Sequence, residues 1–201
     1  MIIAIEIIIL FFSVILHEIA HGYTAYLFGD DTAKRSGRLS LNPIKHIDPF
    51  GTIILPLLLL LSHAGIMFGW AKPVPINYDK LNNPKKNILW ISVLGPLTNI
   101  TIAIFFYFIF KYTLFINNIF WARMAFYGIL LNVLLAVFNL IPLPPLDGSR
   151  VAYSLLPSNL AEQYNKLEKY GIVILFILLY FNILDPIFNF VQNAVYGLVI
   201  K

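Results

Sequence analysis

Apolar residues in this chain come in long unbroken blocks, not in the alternating pattern of a half-buried sheet. Residues 2–28 form the first block, and about 20 apolar residues are enough for a helix to cross a bilayer. Residues 29–49 are polar and rich in turn formers such as Gly29, Gly37, Pro43 and Pro49. Within them, Ser36–Leu41 alternates weakly and predicts a short strand. The block 51–62 is only 12 residues long and contains Pro56, a length that suits a re-entrant or buried segment better than a span. After an irregular stretch at 63–86, residues 87–110 and 120–140 are each long enough to cross. A proline cluster at 142, 144 and 145 ends the second of these. A short, partly polar segment follows at 149–167, then an apolar block at 170–184. Asp185-Pro186 separates that block from a last apolar stretch reaching residue 200. The pattern predicts an all-α polytopic membrane protein. It has about four to five transmembrane helices, a re-entrant segment and a short membrane-associated β element.

Composition agrees with the pattern. Of 201 residues, 59% are hydrophobic and 12% charged, and the mean hydropathy is +0.80; soluble domains carry about 25% charged residues. The length suits a single domain over 1–201, with a core at 2–150 and C-terminal helices at 151–201. The net charge of +4 is scattered through connecting segments without a basic block, so nucleic acid is not an expected partner. The absence of cysteine excludes disulfides and thiolate metal sites, leaving His, Asp and Glu as ligands. The first apolar block lacks a basic n-region and carries ionisable groups, so it reads as a retained helix and not a cleaved signal.

Charge decides how the chain is threaded. If 51–62 dips in and returns, residues 29–86 and 141–169 share one side with 11 of the 14 Lys and Arg residues. If it spans, the division becomes seven against seven. The positive-inside rule favours the first arrangement and puts the irregular segments at the cytoplasmic side.

The candidate chemistry lies inside the first block. His17, Glu18 and His21 spell H-E-I-A-H, a zinc-hydrolase signature in which helical spacing puts both imidazoles on one face, one turn apart. Glu18 is beside them, placed to take a proton from a water that such an ion activates. A charge at mid-bilayer costs about 2.5–3.5 kcal/mol on insertion scales, which argues that these groups are used. Catalytic zinc generally has three protein ligands, and the best third candidate is Asp147, in N-L-I-P-L-P-P-L-D-G at 139–148. Prolines there forbid a continued helix, and irregular backbone at membrane depth is tolerated where it lines a cavity or is buried in protein. Gly148 would permit a sharp turn or close approach. With 51–62 re-entrant, the first helix and the helix ending near 140 run the same way, so His17, His21 and Asp147 can meet at one depth.

These motifs resemble the site-2 protease family of intramembrane zinc metalloproteases. H-E-I-A-H at 17–21 matches the family's H-E-x-x-H. Residues 139–148 are similar to its N-x-x-P-x-P-x-L-D-G, and Gly95-Pro96-Leu97-Thr98-Asn99 is similar to its G-P-x-x-N. Together they cover roughly 13–150. The resemblance implies one Zn2+ per chain held by His17, His21 and Asp147, with Glu18 as general base. It also implies that Asn139 helps hold substrate or the developing oxyanion, and that the substrates are transmembrane segments of membrane proteins. The abundance of Ile, Asn and Lys points to a prokaryotic source, hence a prokaryotic cytoplasmic membrane. The PDZ-like and nucleotide-binding parts of larger relatives have no counterpart here, so this is expected to be a small form.

Blander readings exist for several residues. The His-Glu-His cluster alone could be polar glue between helices, Gly95-Pro96 a packing kink, and Asn99 a simple interhelical hydrogen bond. His46 and His63 are alternative ligands or solvated interfacial histidines, and Trp70, Trp90 and Trp121 read as interface anchors. A metal transporter or metal-binding protein with the same ligands but no hydrolysis is the competing function, and a scaffold that binds membrane helices without cutting is a third.

Overall fold

The computed structural model describes residues 2–62 and 69–199. Helix α1 spans Ile2–Leu27; its 26 residues extend about 39 Å at 1.5 Å per residue, more than the ~30 Å hydrocarbon slab. The chain turns at Gly29, whose φ of 105° suits only a residue without a side chain, into the single turn α2, Thr32–Arg35. A tight turn at Pro43–His46 precedes Pro49–Ile54, a wide helical turn that runs straight into α3, Leu55–Leu61.

Helix α4, Pro84–Phe115, begins on a proline, tolerated because the first-turn N–H has no helical partner to lose. Helix α5, Ile119–Asn139, is capped by the Asn118 side chain, which accepts from the Trp121 N–H. The turn between α4 and α5 includes Asn117 at a φ of 53°. Beyond the proline-rich loop come α6, Asp147–Leu155, α7, Ser158–Asn165, α8, Gly171–Tyr180, and α9, Asp185–Val199.

Helices α1, α4 and α5 are each long and apolar enough to cross a membrane, and α8 with α9 adds a fourth span if the two are counted as one, bent by 70°. The expected crossing at 170–184 is therefore only the ten residues of α8, about 15 Å. Its continuation is broken at 181–184, where Asn182 takes a φ of 56°. Among the described residues no strand forms. Residues 36–41 are irregular, because weak alternation makes a strand only where a second backbone offers a hydrogen-bonding ladder.

The packing centre is the α4–α5 pair. Small residues Ala103, Ala122 and Ala125 are buried there, as small side chains let membrane helices approach closely. At Gly128 an added Cβ would lie 2.6 Å from the Phe106 ring. Helix α9 lays Val191, Val195 and Val199 on the same cluster. Helix α1 packs on α4 and α5, which brings His17 and His21 against Gly95.

Two further features position the site. Trp70 donates its N–H to the Gly51 carbonyl at 3.1 Å, and its own carbonyl accepts from the Thr52 hydroxyl at 2.8 Å. The chain on either side of α3 is thus joined at one point. The proline-rich loop is braced from beyond: the Tyr164 hydroxyl donates to the Pro142 carbonyl at 2.6 Å. Leu146 packs with Leu175 and Leu184.

Candidate metal centre

One turn of α1 separates His17 from His21, and both rings are buried, with 6% and 7% exposure. Each ring is held by its Nδ1. His17 Nδ1–H donates to Asn99 Oδ1 at 2.6 Å, and His21 Nδ1–H donates to the Ile91 carbonyl at 2.7 Å. A carbonyl oxygen can only accept, so the proton of each neutral ring sits on Nδ1 and the Nε2 lone pair is left outward-facing. The two Nε2 atoms are 3.0 Å apart. Asp147 Oδ2 lies 3.1 Å from one and 3.2 Å from the other.

Three electron-rich atoms therefore converge with no donor among them. Asp147 Oδ2 is buried without a hydrogen-bond partner, an expensive condition unless positive charge fills the gap. A proton on one ring, or better a divalent ion facing all three atoms, meets that need. Ligands about 2.0–2.1 Å from a tetrahedral zinc are roughly 3.3 Å from one another, close to the 3.0–3.2 Å observed here. The donor set, two imidazoles and a carboxylate, is one that zinc accepts. His17, His21 and Asp147 are the group able to hold a metal among the described residues.

Asp147 reaches the histidines because α6 begins on it directly after the prolines stop α5. The residue behind it must be glycine: a Cβ at Gly148 would fall 2.2 Å from the Leu140 carbonyl oxygen. Gly95 on α4 does the same for the rings. A Cβ there would lie 2.4 Å from His21 and 2.8 Å from His17.

Glu18 is half-buried, and its Oε2 accepts from the Val74 N–H at 2.8 Å. Val74 lies between Pro73 and Pro75, so its N–H is the lone backbone donor across those three residues. Residues preceding proline favour extended backbone, and Lys72 and Val74 each precede one. This strap is pinned by Arg38, which donates to the carbonyls of Lys72 (2.6 Å) and Pro73 (3.3 Å). At its far end the Asn77 N–H donates to Asp30 Oδ2 at 2.7 Å. Burial pushes the Asp30 carboxyl up, but the Thr32 hydroxyl and the N–H groups of Asn77 and Thr32 outweigh it and hold the group below the usual carboxylate value.

Asn139 is not brought into the trio by any hydrogen bond; its amide donates to Leu135 of its own helix at 2.9 Å. His46 is buried elsewhere and donates to the Ser40 carbonyl. His63 lies outside the described residues. The sequence marks Gly95 through the G-P-x-x-N match, beside its reading as a kink, but gives no motif to Asn132, a lone amide in the middle of an apolar span. That polarity was the available signal.

Fold and trio together define a class: a helical membrane protein with a buried group suited to a divalent metal. The description "Peptidase family M50" matches residues 113–181, which include Asp147. A protein of Bacillus subtilis (strain 168), "Putative zinc metalloprotease YwhC", is 39% identical over 183 residues, covering 86% of this chain and 78% of that one. In Mycolicibacterium smegmatis, "Putative zinc metalloprotease Rip2" is 34% identical over 137 residues, 68% of this chain and 51% of its own length. This chain thus spans about half of that relative. No solved structure matches it. The chain belongs to peptidase family M50, the site-2 protease family of zinc metalloproteases.

Proposed function

We propose that this protein is a zinc-dependent intramembrane endopeptidase that hydrolyses peptide bonds within transmembrane segments of other membrane proteins. The observation that carries this reading is the meeting of His17, His21 and Asp147 at 3.0–3.2 Å, with Glu18 the next residue along the helix. His17, His21 and Asp147 hold the zinc ion. When bound, zinc acidifies water and polarises a carbonyl. Glu18 accepts the proton of the attacking water and returns it to the leaving amine, general base and then general acid. The Val74 N–H fixes one Glu18 oxygen and leaves the other for this task. Asn139, at the mouth of the proline-rich loop, serves by turning its amide to the substrate carbonyl.

Helical peptide bonds are shielded, so a substrate helix unwinds locally before it is cut. The irregular run 36–41, or the stretch 66–76, of which 66–68 lie outside the described residues, is the backbone against which the unwound stretch lies, by strand addition. The meeting of Gly51 with Trp70 supports 51–62 as re-entrant, and the 11 basic residues on one side support a site opening to the cytoplasm. Residues 1–201 act as one unit, with 151–201 bracing the Asp147 loop.

The test is purified protein, zinc and a membrane-protein substrate, with Glu18→Gln alongside. Expected is cleavage inside the span by the parent chain and a loss of several orders of magnitude in the variant, zinc binding being retained. Equal cleavage by both rejects the mechanism. Zinc binding without cleavage by either favours a metal carrier.

A further inference from the structure

Of the two histidines, only His21 is oriented directly by a backbone carbonyl. His17 is oriented by Asn99, a side-chain amide that could equally present its NH2 group and would then demand the opposite tautomer. Something must decide which way the amide faces. Asn99 is fully buried, as is Asn132 on α5, both at 0% exposure. Asn99 Nδ2 donates to Asn132 Oδ1 at 3.0 Å, and Asn132 Nδ2 donates to the Gly128 carbonyl and the Ser13 hydroxyl oxygen, each at 2.9 Å.

The polarity of this chain is forced from one end. The Gly128 carbonyl only accepts, so Asn132 turns its NH2 group toward it and its oxygen toward Asn99. Asn99 must then offer NH2 to that oxygen, which leaves its own oxygen facing His17. His17 must carry its proton on Nδ1, and its Nε2 is free. Two buried amides in an apolar bundle are costly without pairing, and each amide nitrogen and oxygen of Asn99 and Asn132 has at least one partner.

We propose that Asn99 and Asn132 are positioning residues, a directional amide relay that transmits the polarity of a backbone carbonyl on α5 to the tautomer of His17 on α1. The inference rests on His17 being a zinc ligand, as read above. Outer partners of metal-bound histidines are worth about 10–100-fold in metal affinity, and here the outer partner is itself held by a third residue.

The test uses the full chain in detergent or nanodiscs. Zinc affinity is measured by chelator competition, and the His17 tautomer by nitrogen NMR of the metal-free protein. The parent shows the Nδ1–H form. Asn99→Leu loses about 10–100-fold in affinity and Asn132→Leu about 10-fold, both with mixed tautomers. Asn132→Asp, kept protonated by its burial, donates its O–H to the Gly128 carbonyl and turns its other oxygen to Asn99, and retains parent affinity and tautomer, a rescue that a purely packing role does not predict. If the Leu variants fail to fold, Asn132→Asp decides, since it must retain both readouts, and their loss overturns the relay. Leu variants that fold, bind zinc as the parent does and keep the Nδ1–H form overturn the relay while leaving the metal site standing. If instead the parent binds zinc no better than His17→Ala does, the ligand assignment itself fails, and the relay with it.

Discussion

A single methyl group at position 95 would occupy the space where the two imidazoles meet α4, 2.4 Å from His21. Neither ring can retreat, because each is tied at Nδ1. Gly95→Ala is therefore expected to bring bound zinc from one per chain to near zero while helix content by circular dichroism is kept; metal analysis of the purified variant checks this. Asp30 makes a prediction about pH. Its folded value lies below the ordinary one, so the contribution of its contacts is complete above the unfolded carboxyl pKa of about 4 and is lost as pH falls through the lower folded value. Amide exchange at Asn77 should thus be unchanged from neutral pH to about pH 4, after allowance for intrinsic rates, and quicken only below that. At this scale the sequence was most legible where geometry is local. The i, i+4 spacing of His17 and His21 follows from helical pitch, whereas Gly95 and Asn132 matter through what another helix brings against them, and no local pattern carries that.

The strap between Trp70 and Asn77 owes its form to Pro73 and Pro75, which remove every neighbouring donor and leave the Val74 N–H to meet Glu18. Val74→Pro removes that donor and retains extended backbone. A hydrogen bond to a charged group is worth about 1.5–3 kcal/mol, so turnover should fall at least about tenfold. Val74→Ala, which keeps the N–H, should fall far less; steady-state kinetics of the two separate the donor from side-chain packing. Apolar blocks translated well into α1, α4 and α5, since a run of that length in lipid must pair its own backbone groups. The block at 170–184 did not become one helix, because hydropathy does not register the turn at Asn182. The strand expected at 36–41 failed for a related reason: pairing is a property of two segments, and alternation describes only one.

Across the whole molecule, the chain threading fixes which loops share a side. The absence of cysteine makes this directly measurable with single substitutions. Ser36→Cys, Asn83→Cys and Ser158→Cys should react with a membrane-impermeant thiol reagent from the cytoplasmic face and Asn117→Cys from the other. If Ser36→Cys and Asn83→Cys label from opposite faces, 51–62 crosses and the proposed topology falls. The convergence of residues 126 positions apart, His21 and Asp147, was anticipated because prolines stop α5 where a carboxylate is then delivered. The bracing by residues beyond 155 was not, since Tyr164 contacts Pro142 through one hydroxyl that no motif marks.

The joint between Gly51 and Trp70 also separates two mechanical problems. Because Trp70 is fastened at Gly51, and Arg38 and Asp30 hold the strap beyond it, Val74 takes its position from these contacts and not from the length or composition of α3. On the re-entrant reading proposed above, α3 could be lengthened or shortened to suit a thicker or thinner bilayer while the donor to Glu18 stays where it is.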